Sequence, residues 1–218
     1  MAYGFYFDSS SCSGCKSCQV ACKETHHLAT KNLWRQVYNY QGGTWKQNDK
    51  GTYVPEGVFG YFVSIACNHC DDPACVANCP TGAMTKDEAT GIVSIDQETC
   101  IGCKTCSTVC PYGAPTFVEE EGVSSKCDMC ADEVVRGRVP ICVATCPMRA
   151  LDWGDIEELR QKYGEGNVEV EPLPKNTTSP CLVLDPHPAA QATGQGTGKV
   201  VNLEEEDRKS TRQNSSHI

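Results

Sequence analysis

The stretch "CIGCKTCSTVCPYGAP", residues 100–115, puts four cysteines into eleven residues and then a proline. Cys100, Cys103 and Cys106 recur at three-residue intervals, and Gly102 between them permits close backbone approach. Such a loop can set three sulfurs on three corners of one cube of iron and sulfide, where each iron needs one thiolate. Cys110 comes four residues later, after a turn of helix. Pro111 then favours an extended conformation at Cys110 and has no amide hydrogen to continue the helix. The fourth thiol is therefore directed away from the cube of its own loop.

Working outward, the cysteines fall into four groups of four with one left over. The groups are Cys12, Cys15, Cys18, Cys22; Cys67, Cys70, Cys75, Cys79; Cys100, Cys103, Cys106, Cys110; and Cys127, Cys130, Cys142, Cys146, with Cys181 alone. "CPTGAM" at 79–84 and "CPYGAP" at 110–115 close groups two and three alike, which makes them an internal repeat. Group four ends in a degraded version, "CPMRAL", and group one ends "CKETHH" without the proline. In two-cluster ferredoxins the cysteine before the proline binds the other cluster, so Cys110 reads as a ligand to a neighbour. Structural zinc is the competing reading. It takes two Cys-x2-Cys pairs a dozen or more residues apart and gives no reason for a third cysteine three residues on or for the proline. Group four, with eleven residues between Cys130 and Cys142, would look like zinc if it stood alone.

Composition points the same way. Of 218 residues, 39% are hydrophobic and 17 are cysteine, so thiol chemistry replaces part of an ordinary core. The start "MAYGFYFDSSSC" has no basic n-region, apolar h-region or cleavage site, so no export signal is expected, which weakens a disulfide framework. The longest apolar-leaning run, "VFGYFVSIAC" at 58–67, is too short to span a bilayer. A net charge of −9, from 19 basic and 28 acidic side chains, argues against nucleic acid as a partner. The ending "DRKSTRQNSSHI", 207–218, looks foreign: its back-translation resembles a sequencing-adapter read, the alternative being a disordered polar tail.

Between groups one and two, "LWRQVYNYQGGTWKQ" alternates around Gly42 and Gly43 and predicts a β-hairpin turning there. "GIVSID" at 91–96 predicts a short strand. "GDIEELRQKYG" has an acidic first turn, basic residues late and Gly164 after them, which predicts a short helix. From about Pro172 repeated prolines and small polar residues predict an extended arm rather than a packed domain.

"YGFYFDSSSCSGCKSCQVACKE", "VSIACNHCDDPACVANCPTGAM", "CIGCKTCSTVCPYGAP" and "KCDMCADEVVRGRVPICVATCPMRALD" together resemble the four-cluster iron-sulfur subunit (B subunit) of the molybdopterin oxidoreductases, nearest to that of anaerobic dimethyl sulfoxide reductase. The resemblance runs from about residue 3 to about 200. It implies four 4Fe-4S clusters: Cys12, Cys15, Cys18 and Cys146 on the first; Cys22, Cys127, Cys130 and Cys142 on the second; Cys67, Cys70, Cys75 and Cys110 on the third; Cys79, Cys100, Cys103 and Cys106 on the fourth. In nitrate reductase relatives the second position of group three is tryptophan and the cluster has three irons; here it is Cys103. The implied fold is α+β, two bacterial-ferredoxin-like units with one inserted in the other. Residues 1–30 and 117–165 would form the discontinuous unit, 31–59 a β-hairpin insertion, 60–116 the inserted unit and 166–206 the extended arm. The implied partners are a molybdopterin catalytic subunit and a quinol-oxidising integral membrane anchor. The chain would then be peripheral on the cytoplasmic membrane, on the periplasmic side by co-export with a twin-arginine partner, or alternatively on the cytoplasmic face. Related subunits serving polysulfide, thiosulfate, tetrathionate or formate are the alternative.

No nucleophile-base pair, nucleotide-binding glycine loop or open metal site is apparent, so an electron relay rather than a catalyst is expected. Lys104, Lys126 and Arg149 are candidate tuning charges, with solvated surface cations as the plain alternative. His69 is expected in a supporting role rather than as an iron ligand, since four cysteines are at hand. His26 and His27 are expected on the surface and Cys181 as a packed or free thiol. "NTT" at 176–178 matches a glycosylation sequon, which means little without an export signal.

Overall fold

The computed structural model describes residues 2–29 and 32–203. The terminal stretch 207–218, expected to be read-through, lies outside the described residues. The chain opens with β1 (Tyr3–Asp8), α1 (Ser17–Thr25), β2 (Gln36–Gln47) and β3 (Tyr53–Ile65). There follow α2 (Ala74–Ala77), β4 (Met84–Lys86), β5 (Val93–Ile95), α3 (Thr105–Val109), β6 (Thr116–Val118) and β7 (Val123–Ser125). The last third holds α4 (Ala131–Val135), α5 (Ile141–Ala144), β8 (Leu151–Asp155), α6 (Ile156–Tyr163), β9 (Leu182–Asp185) and β10 (Lys199–Val200).

The core is built on β1, whose Phe5, Tyr6 and Phe7 are all buried, as a central strand covered on both faces requires. β1 pairs antiparallel with β8 and parallel with β9, giving the order β8-β1-β9. One face packs on α6, where Ile156 and Leu159 meet Tyr6, Cys181 and Val183. The other face, through Phe5, Phe7, Leu151, Leu182 and Leu184, joins Val37, Tyr40, Tyr61 and Val63 of the β2–β3 pair. α6 begins as its sequence predicts: the Asp155 carboxylate accepts from the Glu157 and Glu158 amides at 3.0 and 3.3 Å, and Gly164 at φ 85° ends it.

Helices α2 to α5 have only four or five residues each, too few to persist alone. Three of them pack against a helix, α5 on α1 and α2 on α3. Cysteines sit on these helices: Cys18 and Cys22 on α1, Cys75 on α2, Cys106 on α3 and Cys142 on α5. The expected strand at 91–96 is β5, paired with β4.

Two expectations need correction. Gly42 and Gly43 do not form the hairpin turn: β2 runs through them to Gln47, and the register shifts there as in a β-bulge. A side chain at Gly42 would strike the Phe59 ring and one at Gly43 the Gly57 backbone, so the glycines serve close strand contact. The turn lies at 48–52, where Asn48 Oδ1 accepts from the Lys50 and Thr52 amides, both at 3.0 Å. The C-terminal segment is extended but packed. Leu182, Val183 and Leu184 are buried as β9 beside β1, Val170 and Leu173 join the same core, and β10 adds to β2.

Candidate metal centres

The loops carrying groups one and three have one conformation. In Cys12-Ser13-Gly14-Cys15-Lys16-Ser17-Cys18, Gly14 and Lys16 stand at φ 66° and 60°; in the loop from Cys100 to Cys106, Gly102 and Lys104 stand at 68° and 62°. Left-handed residues on both sides of the central cysteine wrap the backbone and turn its amides inward, a concavity suited to an anionic group. Glycine is needed first because a Cβ on Gly14 would lie 2.3 Å from the Phe62 ring and one on Gly102 2.1 Å from the Gly122 carbonyl oxygen. A hydroxyl follows each central cysteine: Ser17 Oγ is 3.4 Å from Cys15 Sγ and Thr105 Oγ1 is 3.3 Å from Cys103 Sγ. These hydrogen bonds lower the pKa of both thiols. Sequence reasoning missed the hydroxyls, although the repeat Cys-Lys-Ser/Thr-Cys carries them.

The cysteines gather across groups. One cavity is lined by Cys12, Cys15 and Cys18 of group one and Cys146 of group four, beside Phe7, Val37 and Leu151. Another is lined by Cys100, Cys103 and Cys106 of group three and Cys79 of group two, beside Met84 and Ile95. Among the described residues no other cysteine lines either cavity. Burial raises the Cys12 thiol to about 11, and the charges of Cys18, Cys146 and Cys15 add to it. The remaining thiols also act on one another across the groups. Burial lifts Cys75 to about 12 and Cys70 to about 11, with Cys67 and Cys110 pushing both further. Cys22 stands at about 12 through burial and then Cys142 and Cys130; buried Cys127 is raised by desolvation and then by Cys22, Cys67 and Cys142. Raised thiols bind metal only by releasing protons, so filling these sites couples to pH.

The donor chemistry fits 4Fe-4S groups. Four thiols converge in each of the two cavities, and two buried donors of the loop between Cys67 and Cys70, Asn68 Nδ2 and His69 Nε2, have no protein acceptor, which suits a sulfide-rich occupant. His69 is fully buried and held well below its usual pKa by burial and by the charges of Lys126, Lys86 and Arg35. Its Nδ1 accepts from the Val93 amide at 3.0 Å, so the neutral ring carries its proton on Nε2.

Thiols of different groups also adjoin. Burial raises the Cys18 thiol, and Cys142 adds to it. Cys127 shares a small apolar cluster with Cys67, beside Trp34 and Ala114. Cys75 and Cys106 sit together with Met84 and Val93.

Several surrounding groups correct or extend the sequence reading. Lys126 is no surface cation: it is buried and donates to the carbonyls of Val93 and, at 2.9 Å, Cys127. Lys104 and Arg149 are exposed, Lys104 lying 3.9 Å over the Phe117 ring. His27 is exposed, but His26 is half-buried; its ring packs 4.5 Å from Trp34 and its Nε2 lies 3.1 Å from Cys130 Sγ. Ser64 and Ser124 hydroxyls sit 3.5 Å from Cys18 Sγ and 3.4 Å from Cys106 Sγ, and Thr178 Oγ1 donates to Cys70 Sγ at 3.3 Å. Cys181 is fully buried and donates to Asp71 Oδ1 at 3.4 Å, a packed thiol. Arg35, just before β2, is 3% exposed and is influenced by thiols of groups one and four. No sequence pattern marked it.

Fold and thiol arrangement define an iron-sulfur protein of the ferredoxin-like kind, built to carry electrons rather than to transform a substrate. Residues 58–156 match the 4Fe-4S dicluster domain family. The sequence is 49% identical to YnfG, a probable anaerobic dimethyl sulfoxide reductase subunit of Escherichia coli, over 93% of this chain and 98% of that one. It is 48% identical, with the same coverage, to the B subunit of anaerobic dimethyl sulfoxide reductase of Escherichia coli. It is 34% identical to the thiosulfate reductase electron transfer subunit PhsB of Salmonella typhi, over 77% of this chain and 83% of that one. The protein belongs to the family of anaerobic dimethyl sulfoxide reductase B subunits, electron-transfer proteins with 4Fe-4S clusters. Among the described residues no helix is long and apolar enough to cross a membrane.

Proposed function

We propose that this protein relays electrons in anaerobic respiration from a quinol-oxidising membrane anchor to a molybdopterin subunit that reduces dimethyl sulfoxide or a similar acceptor. When bound, each 4Fe-4S group supplies a one-electron couple. The protein's own residues hold four such groups close together, exclude water and tune them. The ligand sets are Cys12, Cys15, Cys18, Cys146; Cys22, Cys127, Cys130, Cys142; Cys67, Cys70, Cys75, Cys110; and Cys79, Cys100, Cys103, Cys106. Residues 60–116 thus make one ferredoxin-like unit inserted into another formed by 1–30 and 117–165, with the hairpin of 31–59 between. The packing of α1 on α5 and of α2 on α3 supports this nesting. The names of the relatives carry the acceptor class, and the B subunit of a reductase implies catalytic and anchor partners. We place the protein against the membrane as a peripheral subunit, exported folded with a twin-arginine partner.

The observation that carries the reading is the pair of cavities in which three cysteines of one group meet a single cysteine of another. The test is cluster-resolved electron paramagnetic resonance of single variants in anaerobically purified protein. Cys110→Ser must perturb the centre that Cys67→Ser perturbs, and Cys79→Ser the centre that Cys103→Ser perturbs. If Cys110→Ser and Cys103→Ser damaged one and the same centre, each group would be a self-contained site and the nested reading would fail.

A further inference from the structure

Arg35 is 3% exposed, yet among the described residues no carboxylate pairs with it. Its guanidinium stacks 4.9 Å from the Phe5 ring, its Nη1 donates to Ser64 Oγ at 3.1 Å and to the Ser64 carbonyl at 3.5 Å, and its Nε is buried without a partner. Ser64 Oγ in turn lies 3.5 Å from Cys18 Sγ. The negative groups that act on it most are thiols, Cys142, Cys18, Cys127 and Cys22, and its own charge reaches Cys130 and the buried ring of His69. Cys18 belongs to the first proposed ligand set and the other cysteines to the second. A cation enclosed in protein without a counter-charge is strongly disfavoured, so this site expects negative charge to arrive with whatever the thiols bind. Four thiolates on a 4Fe-4S core leave a net negative group, and each one-electron reduction makes it more negative.

We infer that Arg35 is the shared buried counter-charge of the first two clusters and raises the reduction potential of both. The inference rests on the ligand sets proposed above. Arg35 is a positioning residue: it reaches the first set through Ser64 and Phe5 holds its plane. A unit charge at about 8 Å in an effective dielectric of about 20 changes a one-electron equilibrium by more than tenfold. The other polar groups beside these thiols are Lys126, which donates to the Cys127 carbonyl, His26, whose Nε2 lies 3.1 Å from Cys130 Sγ, and buried Gln19 on α1, whose Oε1 accepts from the Val37 amide.

The experiment is a potentiometric titration, followed by electron paramagnetic resonance, of the full-length protein and its Arg35→Gln and Arg35→Lys variants, with iron content measured alongside. Arg35→Gln should keep its iron and lower two centres, those perturbed by Cys146→Ser and by Cys130→Ser, by at least tenfold in the reduction equilibrium, 59 mV each. The centres perturbed by Cys110→Ser and Cys79→Ser should not move, and Arg35→Lys should restore most of the shift. Full iron with unmoved potentials, a shift in only one centre, or an equal shift in all four would overturn the inference. If Arg35→Gln loses iron, Arg35→Lys decides: near-native potentials uphold the charge, while lowered potentials or equal iron loss show a packing role and overturn it. Failure of the ligand sets reads out separately, since Cys22→Ser and Cys130→Ser would then damage different centres with Arg35 intact.

Discussion

Gly102→Ala and Gly113→Ala are the same chemical change at almost the same backbone angle, φ 68° and 61°, yet they should differ greatly. Each new methyl group carries the left-handed penalty of about 1 kcal/mol. At Gly113 nothing lies within 4 Å of the added Cβ, so that is the whole cost. At Gly102 the Cβ would sit 2.1 Å from the Gly122 carbonyl oxygen and 3.0 Å from Phe117 Cε2. Gly122 is backbone in the turn joining β6 to β7, tied by its amide to the Val118 carbonyl at 2.9 Å, and cannot swing aside as a side chain would. Overpacking adds about 1–3 kcal/mol and loss of the turn hydrogen bond about 1 kcal/mol. The loop from Cys100 to Cys106 is thus destabilised by roughly 3–5 kcal/mol against about 1 kcal/mol at Gly113. Local opening should become at least about a hundredfold more frequent in Gly102→Ala and only several-fold in Gly113→Ala. Chelator-driven iron release, followed by bleaching of the visible sulfur-to-iron bands, reads this directly: one quarter of the iron in Gly102→Ala should leave in a fast phase. Equal release from the two variants would refute the steric argument and with it the placement of this loop against the β6–β7 turn.

Leu184→Ala should cost about 2–5 kcal/mol in a denaturant titration, because the side chain is fully buried in β9, whereas Val201→Ala, half exposed, should cost less than about 0.5 kcal/mol; equal small effects would show the C-terminal segment to be a detachable arm. His26→Ala should lower the potential of the centre perturbed by Cys130→Ser by on the order of 40 mV, one hydrogen bond of about 1 kcal/mol to a sulfur that becomes more negative on reduction, and leave the others in place; an unmoved potential would show the 3.1 Å contact to be idle.

The cysteine groups, the prolines after Cys79 and Cys110, and Gly14 and Gly102 were legible because a cluster-binding loop is a local object. Its turns are set by residues a few positions apart, and a left-handed position or a helix stop is written in residue type. The hairpin shows where this ends. Gly42 and Gly43 have the composition of a turn, and only the closeness of Phe59 and Gly57 on the partner strand makes them a bulge. The C-terminal segment shows it again: its prolines speak truly of extension, but whether an extended chain lies in solvent or beside β1 depends on the apolar face that β1 leaves uncovered.

By itself, then, the sequence determined the chemistry: sixteen grouped thiols, iron rather than zinc, and a relay rather than a catalyst. Tertiary structure decided what surrounds the sulfurs, and it sets Cys146 beside group one and Cys79 beside group three. Arg35 is a residue of an unremarkable strand entry until folding shuts it among Cys18, Cys22, Cys127 and Cys142. His26 is a surface histidine until Trp34 brings its ring against Cys130. The physical reason is range. Ligand spacing acts through a few covalent bonds, while burial, charge compensation and contact between one thiol set and the next act through space, between segments a hundred residues apart that only packing of the whole core brings together.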